Sequence, residues 1–458
     1  MQRSTVASRS IPTITDAPAA ERLASAIVRF GAEHPERLGV VAAAGGPDRS
    51  TTDYRSLAAR LAAFTTALDA ARPVGVVARA RRVDSLVVIA AACGRLHVPL
   101  ALLSDDARDL MGTLSDWIVI DDSLAVDEAH GTPGEYRSVP ANVVVATSGT
   151  SGPPKLVEHS WDSLVAAARL SEQWHDLAWL LVYDATRWAG IQVWIQALLT
   201  GGTIVVPASR DPDCVARAIA TERVAVLPAT PTLLRRLVAS ADRALLRAAA
   251  PERITLGGEA ADAVLLQHLE ASFPAARVSQ VYATTELGEV FRVTDGLPGF
   301  PADWIGKTLP GGGRLMVRRD GELLVQLSRD TAQVATGDVV ERRGDRYEFT
   351  GRRSDVIVVG GAKVLPRRIE EILRGVPGVA DARVWGMPSA ITGELVAGEI
   401  VLSDPLPAAA TPESVRAAAL ATCRASCEAA AVPRVLDIVR RIATTPAGKV
   451  PRRPAGTT

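Results

Sequence analysis

The chain has 458 residues, enough for more than one hydrophobic core. Lys plus Arg and Asp plus Glu number 51 each, so the formal charge is zero, which excludes the basic excess of a non-specific nucleic-acid or anionic-membrane binder. Hydrophobic residues make up 48% and charged residues 22%, an ordinary globular balance, and no apolar run approaches the about 20 residues that span a bilayer. The first ten residues lack the apolar centre of a signal peptide, so the expected location is the cytoplasm. Helical spacing of apolar residues predicts helices over 18–32 and 54–72, with short β-rich runs at 39–43, 74–77 and 117–120. Further strands are predicted at 202–206, 224–227, 253–256 and 277–282, with a helix over 260–272.

Alternating strand and helix predicts α/β layers with mainly parallel sheets, where ligands bind in loops leaving the carboxyl ends of strands. Four unusual loops follow strands directly, at 147–155, 183–190, 257–260 and 282–286, and are expected to converge. From about 309 to 350 the texture changes to short strands and turns, with strands at 314–318, 321–326 and 346–349. A compact tail follows, of a size that suits a separate small α+β domain over 352–458 behind a large unit over 1–351. Cys93, Cys214, Cys423 and Cys427 are too sparse for a disulfide framework and form no zinc pattern.

The most informative stretch is 143–155, VVVATSGTSGPPK. A β-branched run suits a buried strand, and the glycines after it let backbone N–H groups approach an anion closely. Thr147, Ser148, Thr150 and Ser151 add hydroxyl donors, and Lys155 adds a positive charge. The pattern reads as a phosphate cradle, without the spacing of a Walker loop.

Four more segments follow in order: 282–286 (YATTE), 336–338 (TGD), 350–352 (TGR) and 445–449 (TPAGK). Together with the cradle they resemble the adenylate-forming superfamily of acyl-CoA synthetases, peptide-synthetase adenylation domains and luciferases. The resemblance implies that a carboxylate attacks the α-phosphorus of ATP and pyrophosphate leaves. It implies that Thr147, Ser148, Gly149, Thr150, Ser151, Gly152 and Lys155 hold the β- and γ-phosphates. Thr285 would contact the α-phosphate and Glu286 would ligate Mg2+, for which one carboxylate beside phosphate oxygens suffices. Tyr282 would stack on adenine, Gly257, Gly258 and Glu259 would line its edge, and Asp338 with Arg352 would take the ribose hydroxyls. Lys449 would bridge the substrate carboxylate and the α-phosphate, carried in and out by a small domain with two orientations. At the swivel the family has an aspartate or lysine where this chain has Ser354, and a serine can also absorb the rotation. Gly361 and Lys363 match a loop that lines the thiol tunnel in CoA-using relatives, and also suit a plain glycine turn.

By resemblance the acid pocket is formed by Asp184, Ala185, Trp188, Gly257, Val281, Glu289 and Val290. Asp184 either receives a substrate amine or caps the following helix, since a buried carboxylate needs a partner. Five of the eight tryptophans fall between 161 and 194, and Trp188 would favour a compact or flat acid over a long chain. Glu289 would read a hydroxyl or an amine. The expected activity is an ATP- and Mg2+-dependent ligase for a small acid, aromatic or short-chain. The acyl acceptor is a thiol, with CoA preferred over the pantetheine arm of a carrier protein, and direct amide formation or a non-catalytic relative stands as the alternative.

Overall fold

The computed structural model describes residues 17–126, 142–147, 155–240, 242–309, 313–327 and 332–443. Strands buried on both faces need apolar side chains of either parity, which is why the parallel strands here read as continuous apolar runs. The largest sheet has eight strands in the order Gly288–Val293, Arg277–Thr284, Arg253–Gly257, Val226–Ala229, Ala178–Leu180, Thr203–Pro207, Leu38–Ala44 and Ser50–Asp53. Its six inner strands are parallel and its two edge strands antiparallel.

A second sheet of five strands is ordered Ile118–Ile120, Val76–Ala78, Leu100–Leu102, Asn142–Ala146 and Leu156–Ser160, parallel except for the last pair. Helices Ala19–Glu33, Val83–Leu96 and Trp188–Leu199 fill the space between these two sheets. Val83–Leu96 is apolar almost all round and buried from Val83 through Gly94, as a helix packed on every side must be. Alternation along one strand shows the layering: Val40 joins this central core, while Val41 joins a second core under helices Pro212–Thr221, Pro231–Ser240 and Ala263–Ser272.

A third, antiparallel sheet runs Phe300–Pro301, Arg346–Arg352, Gln333–Arg343, Glu322–Gln326 and Arg314–Val317. Its aromatic core joins Phe291, Phe300, Tyr347 and Phe349. The chain then builds a smaller C-terminal unit on a long hairpin, Val379–Ser389 with Gly393–Leu402, backed by helices Pro366–Arg374 and Pro412–Ser426. Cys423 is buried in that core, and all four cysteines are free. The predicted strands lie within about three residues of the observed ones, and the α/β layering with a large N-terminal and a small C-terminal unit stands.

Two arginines of the C-terminal unit tie it to the larger one. Arg374 Nε sits 3.1 Å from Asp262 Oδ2, and Arg367 Nη2 donates to the Ala260 carbonyl at 2.9 Å. Arg235 completes the contact, 2.8 Å from Asp262 and 3.7 Å from Asp381 of the C-terminal unit.

Candidate active site

The four strand-end loops meet at the carboxyl edge of the large sheet, around a cavity of about 620 Å³. The first contributes Thr147 and Lys155, which close the hairpin of Asn142–Ala146 with Leu156–Ser160. Thr147 N–H donates to the Lys155 carbonyl at 2.8 Å, and Lys155 N–H donates to Thr147 Oγ1 at 3.0 Å. Ser148, Gly149, Thr150, Ser151 and Gly152 lie outside the described residues. The base of the loop is braced from beneath. Arg187, buried to 8% exposure, donates from Nη1 to the carbonyls of Ala146 (2.7 Å) and Thr147. Sequence reasoning passed over Arg187.

The second loop turns into helix Trp188–Leu199. Asp184 Oδ1 accepts from Thr186 N–H at 2.9 Å and Thr186 Oγ1 at 2.7 Å, a local turn one residue ahead of the Arg187 cap position. Of the two readings of Asp184, this geometry is nearer the local one, as a turn rather than a helix cap. Gly190 permits it, because a Cβ there would lie 2.1 Å from the Asp184 carbonyl oxygen. Trp188 lines the cavity, whereas Ala185 packs on the central core and accepts at its carbonyl from Trp194 Nε1 at 2.9 Å.

Gly257 and Gly258 line the cavity, Gly258 at φ +82°, a left-handed conformation that favours glycine. Glu259 turns away: its Oε2 accepts from Thr232 N–H (3.0 Å) and Oγ1 (2.6 Å) at the start of helix Pro231–Ser240. Thr285 and Glu286 face the cavity, with Glu286 exposed. Burial keeps the neighbouring His159 below the ordinary histidine range, against the pull of the Thr285 backbone and the Glu286 charge.

Tyr282 does not line the cavity. Its ring is flanked by Phe291 and Phe349 at 5.0 Å each, and its hydroxyl donates to Asp338 Oδ2 at 2.7 Å. Arg352 Nε donates to the other oxygen, Oδ1, at 3.0 Å, across the strand pair that places the two residues opposite one another. Asp338 is therefore buried with both oxygens engaged, and Arg352 reaches the cavity wall.

The residues expected to form the acid pocket depart most from the sequence reading. The register of Arg277–Thr284 with Gly288–Val293 shifts between the pairs Tyr282↔Phe291 and Ala283↔Glu289, leaving Val290 unpaired as a β-bulge. Val290 packs into the aromatic core and not into the pocket. Glu289 and Arg292 both line the cavity, beside Val281, and pair bidentately at 3.1 and 2.9 Å. Arg169 joins them, its Nη2 3.8 Å from Glu289 Oε1. Gln196 fixes the Arg169 backbone, accepting from its N–H at 2.6 Å and donating to its carbonyl at 2.7 Å. Trp174 and Trp179 stack at 5.5 Å and close the wall. Sequence reasoning missed Arg169, Arg292 and Gln196; the one signal was two glutamines, Gln192 and Gln196, four apart on an otherwise apolar helix. Gly361 and Lys363 sit on an exposed hairpin and do not line the cavity, and Lys449 lies outside the described residues.

Comparison with known proteins accords with this architecture. Residues 19–326 match the AMP-binding enzyme family, and 368–449 match the AMP-binding enzyme C-terminal domain. The chain belongs to the AMP-binding enzyme family and, through it, to the adenylate-forming superfamily. It is 27% identical over 353 residues to the medium/long-chain fatty acid–acyl-carrier-protein ligase FadD10 of Mycobacterium tuberculosis, covering 68% of this chain and 65% of that protein. The chain thus spans about two thirds of that relative's length. In fold it is similar to ATP-bound MatB of Rhodopseudomonas palustris, with a TM-score of 0.71 at 19% identity over 94% of this chain and 97% of that one. The amide bond synthetase McbA of Marinactinospora thermotolerans gives 0.69 at 23% identity, over 95% and 98%. No helix among the described residues is long and apolar enough to cross a membrane.

Proposed function

We propose that the protein is an ATP-dependent, AMP-forming ligase that activates a small carboxylic acid as its acyl-adenylate and passes the acyl group to a thiol. The observation that carries this reading is the meeting of Thr147, Lys155, Thr285, Glu286 and Arg352 around one cavity, in a chain of the AMP-binding family. The division of labour is between a large unit over 1–351 and a lid over 352–458.

Lys155 and the loop braced by Arg187 hold the β- and γ-phosphates, and Thr285 positions the α-phosphate. Asp338 and Arg352 take the ribose, with Gly257 and Gly258 at the edge of the base; Tyr282 orients Asp338 through its hydroxyl. Mg2+ suits the donor set, because Glu286 supplies a carboxylate and the phosphates supply the remaining oxygens. When bound, the ion neutralises phosphate charge. The carboxylate of the acid attacks the α-phosphorus, the bond to pyrophosphate breaks, and Lys449 offsets the charge that builds between the two anions.

CoA is the preferred acceptor, with Gly361 and Lys363 beside its arm. The carrier-protein ligase among the relatives favours pantetheine on a carrier as the second reading. The test is acid-dependent ATP–pyrophosphate exchange across aryl, short-chain and amino acids, which is expected with at least one of the first two classes. Exchange with none of them overturns the reading. Lys449→Ala is expected to abolish exchange while sparing thioester formation from preformed adenylate, and equal loss of both half-reactions contradicts the two-orientation model.

A further inference from the structure

The far wall of the cavity carries more positive charge than any monocarboxylic acid needs. Arg292 pairs in register with Val281, three residues before Thr284, so its backbone lies about 10 Å from the strand end that leads into Thr285, at the usual strand rise. Glu289 is already neutralised, since Arg292 donates to both of its oxygens. Arg292 spends a further N–H on Ser279 Oγ at 3.1 Å. Arg169 is then in excess: two guanidiniums face one carboxylate, and at 3.8 Å its approach to Glu289 is longer than a hydrogen bond.

We propose, on the basis of the ligase reading above, that the acid this enzyme activates is a dicarboxylic acid, and that Arg169 binds the carboxylate that is not adenylated. Gln196 holds the Arg169 backbone at both its N–H and its carbonyl, so the guanidinium is presented from a fixed point. Burial and the neighbouring Arg292 both disfavour its charge, with Glu289 opposing, and an arriving anion relieves that cost. The rival substrates fit less well. An ammonium is met less well among the described residues, because Arg292 donates to both oxygens of Glu289, and Asp184 gives Oδ1 to Thr186 with its charge already felt by Arg210. A fatty tail would have to cover the Arg169 guanidinium without offering it a hydrogen bond, which is costly. Trp174, Trp179 and Trp188 line the same cavity and offer apolar, flat surface to the spacer between the two carboxylates.

The experiment compares succinate, glutarate and isophthalate with their monomethyl esters in ATP–pyrophosphate exchange, using the full chain and its Arg169→Met and Arg169→Lys variants. The diacids are expected to exceed their half-esters in kcat/KM by about tenfold or more, the worth of one charge-assisted hydrogen bond. Arg169→Met is expected to erase that ratio and Arg169→Lys to restore part of it. Half-esters that serve as well as diacids overturn the proposal and leave the ligase reading intact, as does a ratio that survives in Arg169→Met. Exchange with no acid of any class overturns the ligase reading and the proposal with it. Should Arg169→Met fail to fold, the half-ester comparison on the unaltered protein decides.

Discussion

Single atoms set the shape of the proposed acid pocket. The Asp184 turn and the first turn of helix Trp188–Leu199 approach so closely that only a hydrogen at the Gly190 Cα fits between them. A methyl group there would meet the Asp184 carbonyl at 2.1 Å, and the atom it meets is backbone, which cannot swing aside. Gly190→Ala is therefore expected to cost about 1–3 kcal/mol, the usual penalty of overpacking. The strain is relieved by pushing the Asp184 turn outward, so the KM for the acid should rise while the KM for ATP holds. A thermal midpoint and an acid KM both equal to those of the unaltered protein would contradict this account.

At the scale of elements, the loop proposed to hold phosphate depends on a hairpin whose open end is gripped from a different segment. The buried Arg187 guanidinium holds the Ala146 and Thr147 carbonyls, where the strand stops and the loop begins. Arg187→Met keeps much of the volume but leaves those carbonyls without this donor, at about 1–3 kcal/mol for a buried unpaired group. Kinetic assays should show the KM for ATP rising more than that for the acid; an ATP KM within twofold of the original would mean the brace is not functional. Most strands and all four loops were legible, because parallel strands buried on both faces announce themselves as apolar runs ended by glycine or hydroxyl islands. The bulge at Val290 was not, since an extra residue shifts the facing of its neighbours without leaving a mark in the sequence. Glu259 reads as a pocket residue until packing brings Thr232 beneath it. The grouping of Arg169 with Glu289 and Arg292 joins segments far apart in the chain, and no local pattern encodes it.

In the whole molecule the two units meet through a buried charge cluster, and its two aspartates are not equivalent. Burial opposes the charge on Asp262, yet Arg235 and Arg374 hold its pKa down to about 2. Burial dominates at Asp381, whose carboxyl stays above the ordinary range despite the same two arginines. The signs follow. Asp262 contributes stability that is complete above its unfolded value of 3.8 and disappears as the pH falls through about 2. The raised carboxyl of Asp381 works the other way, since its ionised form is the one that folding disfavours. Asp262→Asn leaves two buried guanidiniums short of a counter-charge and is expected to cost about 3–5 kcal/mol near neutral pH. Asp381→Asn keeps a side-chain oxygen for the Ala382 N–H and removes a charge that burial penalises, so it should cost less than about 1 kcal/mol. Unfolding midpoints of the two variants, measured at pH 7 and again towards pH 3, check both statements. The deficit of Asp262→Asn should narrow as the acid limit is approached, and equal losses from the two substitutions would show that Asp262 does not anchor the docked orientation.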